Sequence, residues 1–129
     1  MPRVLIDTHA LIWWLAGDER LSLSARRQMG RTGGTVLVSA ASGWEIATKR
    51  RKGKLPDPEG VLDDLRRQIA QQGFEEMPIS LEHAERAGAL PHPHADPFDR
   101  MLAAQAQAEG IAIVSRDEVF ELFGVKRIW

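Results

Sequence analysis

The chain has 129 residues, 43% hydrophobic and 27% charged, with a formal net charge of -1. That balance fits one soluble globular domain and excludes a nucleic-acid binder that relies on bulk positive charge, though not one with a local basic patch or a bound metal. Cysteine is absent, which removes disulfides, thiolate zinc sites and cysteine nucleophiles and fits a cytoplasmic location.

The elements follow in chain order. Asp7 and His9 interrupt any apolar signal sequence at the start, and no uncharged stretch approaches the ~20 residues of a membrane span, so no membrane association is expected. Val4 to Ile6 is a short apolar strand, and Thr8 to Ala16 a helix stopped at Gly17. Leu21 to Arg31 is a second helix with Ser22 or Ser24 as N-cap. Thr35 to Val38 is a strand, followed by a helix from Ala40 to Arg51. Two prolines make a turn at 55–58, and Glu59 to Gln72 has helical spacing of Val61, Leu62, Leu65 and Ile69. Phe74 to Ile79 is a strand, Leu81 to Ala89 a helix, and 90–97 a loop with three prolines. Pro97 to Glu109 is a helix ended by Gly110, and Ile111 to Val114 a strand. A short helix at Glu118 to Phe123 and an edge strand at Val125 to Trp129 complete the chain. Strands alternating with helices predict an α/β fold around a mostly parallel sheet in a single domain spanning 1–129.

Four acids stand out against these elements, three of them at element ends. Asp7 follows the first strand, Glu45 lies in the helix after the second, Asp99 opens the helix at Pro97, and Asp117 follows the strand at Ile111 to Val114. In an open parallel sheet the carboxyl ends of the strands meet in one crevice. Carboxylates gathered there repel one another unless a cation shares the site, and Mg²⁺ or Mn²⁺ prefers such oxygen donors. Each acid also has a simpler reading. Asp7 is placed as an N-cap, Asp96 and Asp99 as members of a capping box around Pro97, and Asp117 as a favourable charge at a helix start. For Glu45 the simpler role is a surface glutamate reaching water.

Taken together, the segments LIDTHALIW (5–13), VSAASGWEIA (38–47), LPHPHADPFDRMLAAQA (90–106) and IVSRD (113–117) resemble the PIN-domain nucleases, and within them the VapC-type toxins of toxin–antitoxin pairs. The resemblance runs the length of the chain with no departure at an acidic position. It implies a three-layer α/β/α sandwich with four to five strands. It also implies a Mg²⁺- or Mn²⁺-dependent endoribonuclease in which Asp7, Glu45, Asp99 and Asp117 hold the metal. Its partners would be an RNA substrate, a cognate VapB-type antitoxin and a second copy of the chain in a homodimer. The alternative is a catalytically silent module that binds RNA or protein.

Around the quartet, Thr8, Ser39 and Ser115 offer hydroxyls to orient a carboxylate. Asp96 caps its helix or reaches the metal through water, and Arg116 contacts substrate phosphate or balances nearby acids. Arg100 adjoins the same acids. Lys49, Arg50, Arg51 and Lys52 form either a solvated helix end or an RNA-contacting rim. His92 and His94 form a His-x-His pair without a third soft ligand. His9 is expected buried and hydrogen-bonded, and His83 at the surface. Trp13 and Trp14 point about 100° apart on one helix, so one is a candidate for an interface. No Gly-x-Gly-x-x-Gly or Walker sequence is present. An aspartyl-phosphate site fits poorly, because His9 stands where a second aspartate would be needed.

Overall fold

The computed structural model describes residues 2–31 and 33–129. Among the described residues, five strands alternate with seven helices: β1 (Arg3–Ile6), α1 (Thr8–Ala16), α2 (Leu23–Met29), β2 (Thr35–Ser39), α3 (Ala40–Arg51), α4 (Leu65–Gln71), β3 (Glu75–Met77), α5 (Leu81–Ala89), α6 (Pro97–Glu109), β4 (Ala112–Val114), α7 (Val119–Leu122) and β5 (Arg127–Ile128). The strands form one sheet in the order β3-β2-β1-β4-β5, every pair parallel.

Side chains alternate across the sheet, as strand geometry requires. Val4, Ile6, Val36 and Val38 point to a core shared with Leu11 and Trp13 of α1, Ala25 of α2 and Ile69 of α4. Leu5, Leu37 and Ile113 point to the opposite core, shared with Leu102, Ala103 and Ala106 of α6 and Phe120 of α7. Both faces are covered, which explains why the strands read as unbroken apolar runs. The result is the expected α/β/α sandwich.

The chain leaves β1 for β2 on one side and later returns to place β4 on the other. The switch point therefore lies at the carboxyl ends of β1 and β4, where an open sheet forms its crevice. Arg3 to Ile6 pair with Thr35 to Val38 in register, and Val4 to Ile6 with Ala112 to Val114. This brings Asp7 beside the end of β4, and its N–H donates to the Val114 carbonyl at 3.1 Å.

One expectation about the framework is corrected. The helix expected from Glu59 begins only at Leu65. Asp57 accepts from the N–H groups of Val61 and Leu62 at 2.9 and 2.8 Å, and Arg50 holds the Leu62 carbonyl. The backbone is left-handed at Gly60 and Asp64, a conformation that interrupts a right-handed helix. Of the two tryptophans of α1, Trp14 is the one left half-buried. Trp13 is buried, and Trp14 packs on Phe74 and donates to Gln72 at 2.9 Å.

Candidate active site

A pocket of about 220 Å³ lies at the switch point, lined by Asp7, Thr8, His9, Glu45, Lys49, Asp96, Asp99, Leu102 and Asp117. All four acids of the expected quartet are among these residues, although they come from stretches up to 110 positions apart. A larger groove beside β3 is mainly apolar, and its Glu76 is bound by Arg66. Convergent carboxylates distinguish the smaller pocket.

Asp7 is the N-cap of α1. Its Oδ1 accepts from the Ala10 N–H at 2.8 Å, and its Oδ2 accepts from the Ser115 hydroxyl at 2.5 Å. Ser115 in turn accepts from the Asp117 N–H at 2.9 Å, so one hydroxyl couples two acids across the switch point. Burial pushes the Asp7 carboxyl up to about 6, against the opposing hydrogen bonds from Ser115 and Ala10 and the nearby His9. Desolvation disfavours the charged form, and this position has little water to offset it.

Glu45 is buried, contrary to the simpler reading of a surface residue. Thr8 donates to its Oε1 at 2.6 Å, and the Thr8 oxygen lies 3.0 Å from Ser42 Oγ. The Lys49 ammonium holds Oε2 from one helical turn further along α3. This pairing explains how a carboxylate remains on the inner side of the helix.

Asp99 sits in the first turn of α6, capped by Asp96, whose Oδ1 accepts from the N–H groups of Phe98 and Asp99 at 2.9 and 3.0 Å. Asp96 thus caps the helix and lines the pocket at once. His94 Nε2 lies 2.9 Å from Asp99 Oδ2. Burial raises the Asp99 pKa, the His94 hydrogen bond opposes that rise, and the charges of Asp96 and Asp117 add to it. Asp117 is exposed at the rim, and its Oδ1 accepts from the Val119 N–H.

The donor set is made of carboxylate oxygens, which suits a hard divalent cation. The burial of Asp7 and the mutual repulsion felt by Asp99 are both conditions that a cation relieves. In this arrangement Lys49 and His94 occupy one oxygen each of Glu45 and Asp99. Among the described residues, no three acids or histidines are already drawn together as ligands of one ion. Lys49 keeps 36% of its side chain exposed, so it has a path to water when Glu45 turns to a different partner.

The other expected residues divide. Thr8 and Ser115 contact the acids directly. Ser39 instead caps α3 and donates to Gln105 at 2.5 Å, outside the pocket lining. Arg50 is bound to Asp63, Asp57 and the Leu62 carbonyl, which makes it a tether for the 57–63 turn. Arg51, Lys52 and Arg116 are exposed and make no ion pair among the described residues.

Arg100 turns away from the acids and donates to the carbonyls of Ala87, Leu90, His92 and His94 at 2.8–3.0 Å, fastening the proline-rich loop. His9 is exposed at the pocket, with its ring 5.7 Å from that of Trp13, and is not buried as expected. His83 is buried, completing the α5 capping box and lying 3.3 Å from both Gln105 and Glu109. Two pocket contacts escaped the sequence reading, the hold of Lys49 on Glu45 and that of His94 on Asp99. The first has a local signal in the four-residue spacing of an acid and a base on one helix. The second depends on how the proline loop folds back.

Comparison with known proteins agrees with this architecture. The PIN domain family model matches residues 4–126. Ribonuclease VapC22 of Mycobacterium tuberculosis is 31% identical over 118 residues, covering 91% of this chain and 88% of the relative. The solved VapBC2 of Rickettsia felis, bound to a DNA fragment from its promoter, superposes with a TM-score of 0.71 at 13% identity, covering 98% of this chain and 99% of that one. VapC20 of Mycobacterium tuberculosis, described as a Sarcin-Ricin loop cleaving toxin, gives a TM-score of 0.64 at 15% identity with 95% of each chain covered. Sequence and fold thus agree, and the chain belongs to the PIN-domain family, in its VapC-type branch.

Proposed function

We propose that this chain is a VapC-type endoribonuclease that hydrolyses RNA phosphodiester bonds with the help of Mg²⁺ or Mn²⁺. The observation that carries this reading is the convergence of Asp7, Glu45, Asp99 and Asp117 on one pocket at the sheet's switch point. The relative named as a ribonuclease supports the same activity.

Asp7, Glu45, Asp99 and Asp117 would hold the ion or ions. A divalent cation in such a site lowers the pKa of water and neutralises charge on the attacking and leaving oxygens of a phosphoryl centre. The remaining tasks belong to the chain. Ser115 holds Oδ2 of Asp7 while the Ala10 N–H holds Oδ1, and Thr8 fixes Glu45. Asp96 sets the first turn of α6 and so aims Asp99. A deprotonated carboxylate of the cluster accepts the proton of the attacking water. Lys49, released from Glu45, offers its ammonium to a phosphate oxygen, and exposed Arg51 and Lys52 extend that positive rim along α3. The 3′ oxygen leaves and takes a proton, giving a 5′-phosphate end.

A small VapB-type antitoxin as inhibitor and a second copy of the chain are the proposed partners. A solved relative is itself a VapBC complex. Among the described residues, no helix is long and apolar enough to cross a membrane.

The test is cleavage of RNA by the purified chain with Mg²⁺ or Mn²⁺, with and without chelator, followed by sequencing of the new ends. Chelator-sensitive cleavage leaving 5′-phosphates is expected. No cleavage, together with no heat on Mn²⁺ titration, would favour a silent binding module.

A further inference from the structure

Trp44 is 58% exposed, an unusual position for the largest apolar side chain in a small domain. It immediately precedes Glu45 on α3. Its ring meets Phe98 of α6 edge to face, with centroids 4.8 Å apart and planes at 74°. Phe98 immediately precedes Asp99. Two aromatic rings are therefore fixed against each other where α3 and α6 meet, each one residue from a pocket acid. The edge contact restrains the Trp44 ring while leaving it largely open to solvent.

The same face of α3 continues from Trp44 through Ala47 and Thr48 to Arg51, the i, i+3, i+4, i+7 spacing of one helical stripe. Ala47 and Thr48 are small, so nothing bulky separates the ring from the cation about 10 Å further along the axis. Arg51 and the adjacent Lys52 are exposed and carry no ion pair among the described residues. An open aromatic ring followed by unpaired cations matches a single strand of nucleic acid, whose bases stack while its phosphates track positive charge. An apolar protein partner would gain little from those cations, and burying them against it would be costly.

We propose that Trp44, braced by Phe98, stacks on a nucleobase of single-stranded RNA next to the bond held at the acid pocket, with Arg51 and Lys52 following the strand's phosphates. This rests on the ribonuclease reading and adds the residue that grips a base of the substrate.

The experiment uses the full chain carrying Asp117→Asn, so that RNA is bound without turnover. Binding of labelled oligoadenylate and of an abasic ribose-phosphate strand of equal length is followed by anisotropy. Trp44→Leu is expected to weaken oligoadenylate binding about tenfold, within the range of base–aromatic stacking, with the abasic strand unaffected. Trp44→Phe is expected to restore most of the loss. In the chain with native Asp117, Trp44→Leu is expected to raise KM for unpaired RNA with little change in kcat. Unchanged oligoadenylate binding in a folded Trp44→Leu chain overturns the proposal, as does equal weakening of both strands. A lower mass in solution on Trp44→Leu also overturns it, marking the ring as a protein contact. These failures would leave the cleavage of RNA by the native chain intact, whereas failure of the ribonuclease reading would abolish that cleavage itself.

Discussion

The Lys49 ammonium lies against Oε2 of Glu45, one turn away on α3, while Thr8 of α1 donates to Oε1. The chain's own cation thus occupies a carboxylate proposed to serve a metal. Lys49→Met should raise the affinity for Mn²⁺ about two- to fivefold, the scale of a partly exposed ion pair. Cleavage should fall if the ammonium also grips phosphate. Calorimetric titration of Mn²⁺ and cleavage rates at saturating metal separate the two effects. Weaker Mn²⁺ binding in the variant would show that Lys49 supports the metal site and does not compete for it.

Removing a ligand should cost more than removing its neighbour. Asp99→Asn and Glu45→Gln should each lower cleavage by at least about 100-fold, since even loss of an outer hydrogen-bond partner commonly costs 10–100-fold. The check is the single-turnover rate on one defined RNA, with circular dichroism confirming the fold. A folded Asp99→Asn chain that cleaves at the native rate would remove Asp99 from the mechanism.

Thr8→Val takes the hydroxyl from Glu45 and Ser42 together. The buried carboxylate keeps Lys49 but loses its nearest neutral donor. A stability loss of about 1–3 kcal/mol is expected from the unmet hydrogen bond, with Mn²⁺ affinity down about tenfold. Urea unfolding and calorimetry measure the two. Thr8→Ser, which keeps the hydroxyl, should recover most of both.

The raised pKa of Asp7 has consequences for pH. In the unfolded chain its carboxyl ionises near 3.8, and in the folded chain near 6. Between those values the folded form binds more protons, so stability falls as pH rises through this window and levels off above it. In chelator, Asp7→Asn should therefore stabilise the chain at pH 7 by up to about 3 kcal/mol and have little effect near pH 4. Cleavage should fall as pH drops through about 6, because a protonated Asp7 cannot bind a cation. Raising Mn²⁺ should move that acid limb to lower pH, since the metal binds only the charged form. A limb that ignores Mn²⁺ concentration would separate Asp7 from the metal.

Arg100→Leu should free the loop before α6. Its guanidinium bonds five carbonyls between Ala87 and His94, and losing it should cost about 3 kcal/mol. Arg100→Lys should not restore this, because an ammonium cannot span the spread of acceptors that a planar fork reaches. Thermal unfolding of the three chains decides the matter.

Local chemistry was legible along the chain. The caps at Asp7, Ser22 and Asp96, the glycine stops at Gly17 and Gly110, and the apolar runs of β1, β2 and β4 are encoded by residues within a turn of one another. The 59–64 segment misled because its apolar spacing is helical, while its hydrogen bonds go to Asp57 and Arg50 from outside it. His83 and His9 exchanged their expected environments for the same reason. A single polar residue carries no local record of which neighbour will cover it.

From the residues alone came the strand–helix alternation, the helix ends and four candidate acids, three of them at element boundaries and Glu45 within a helix, since each depends on backbone geometry and nearest neighbours. Only the tertiary structure decided that β4 lies beside β1, so that Asp7 and Asp117 share Ser115, and that α3 and α6 bring Glu45 and Asp99 to the same pocket. Strand order is set by how two apolar faces are best covered across the entire sheet, and no short stretch of sequence contains that competition.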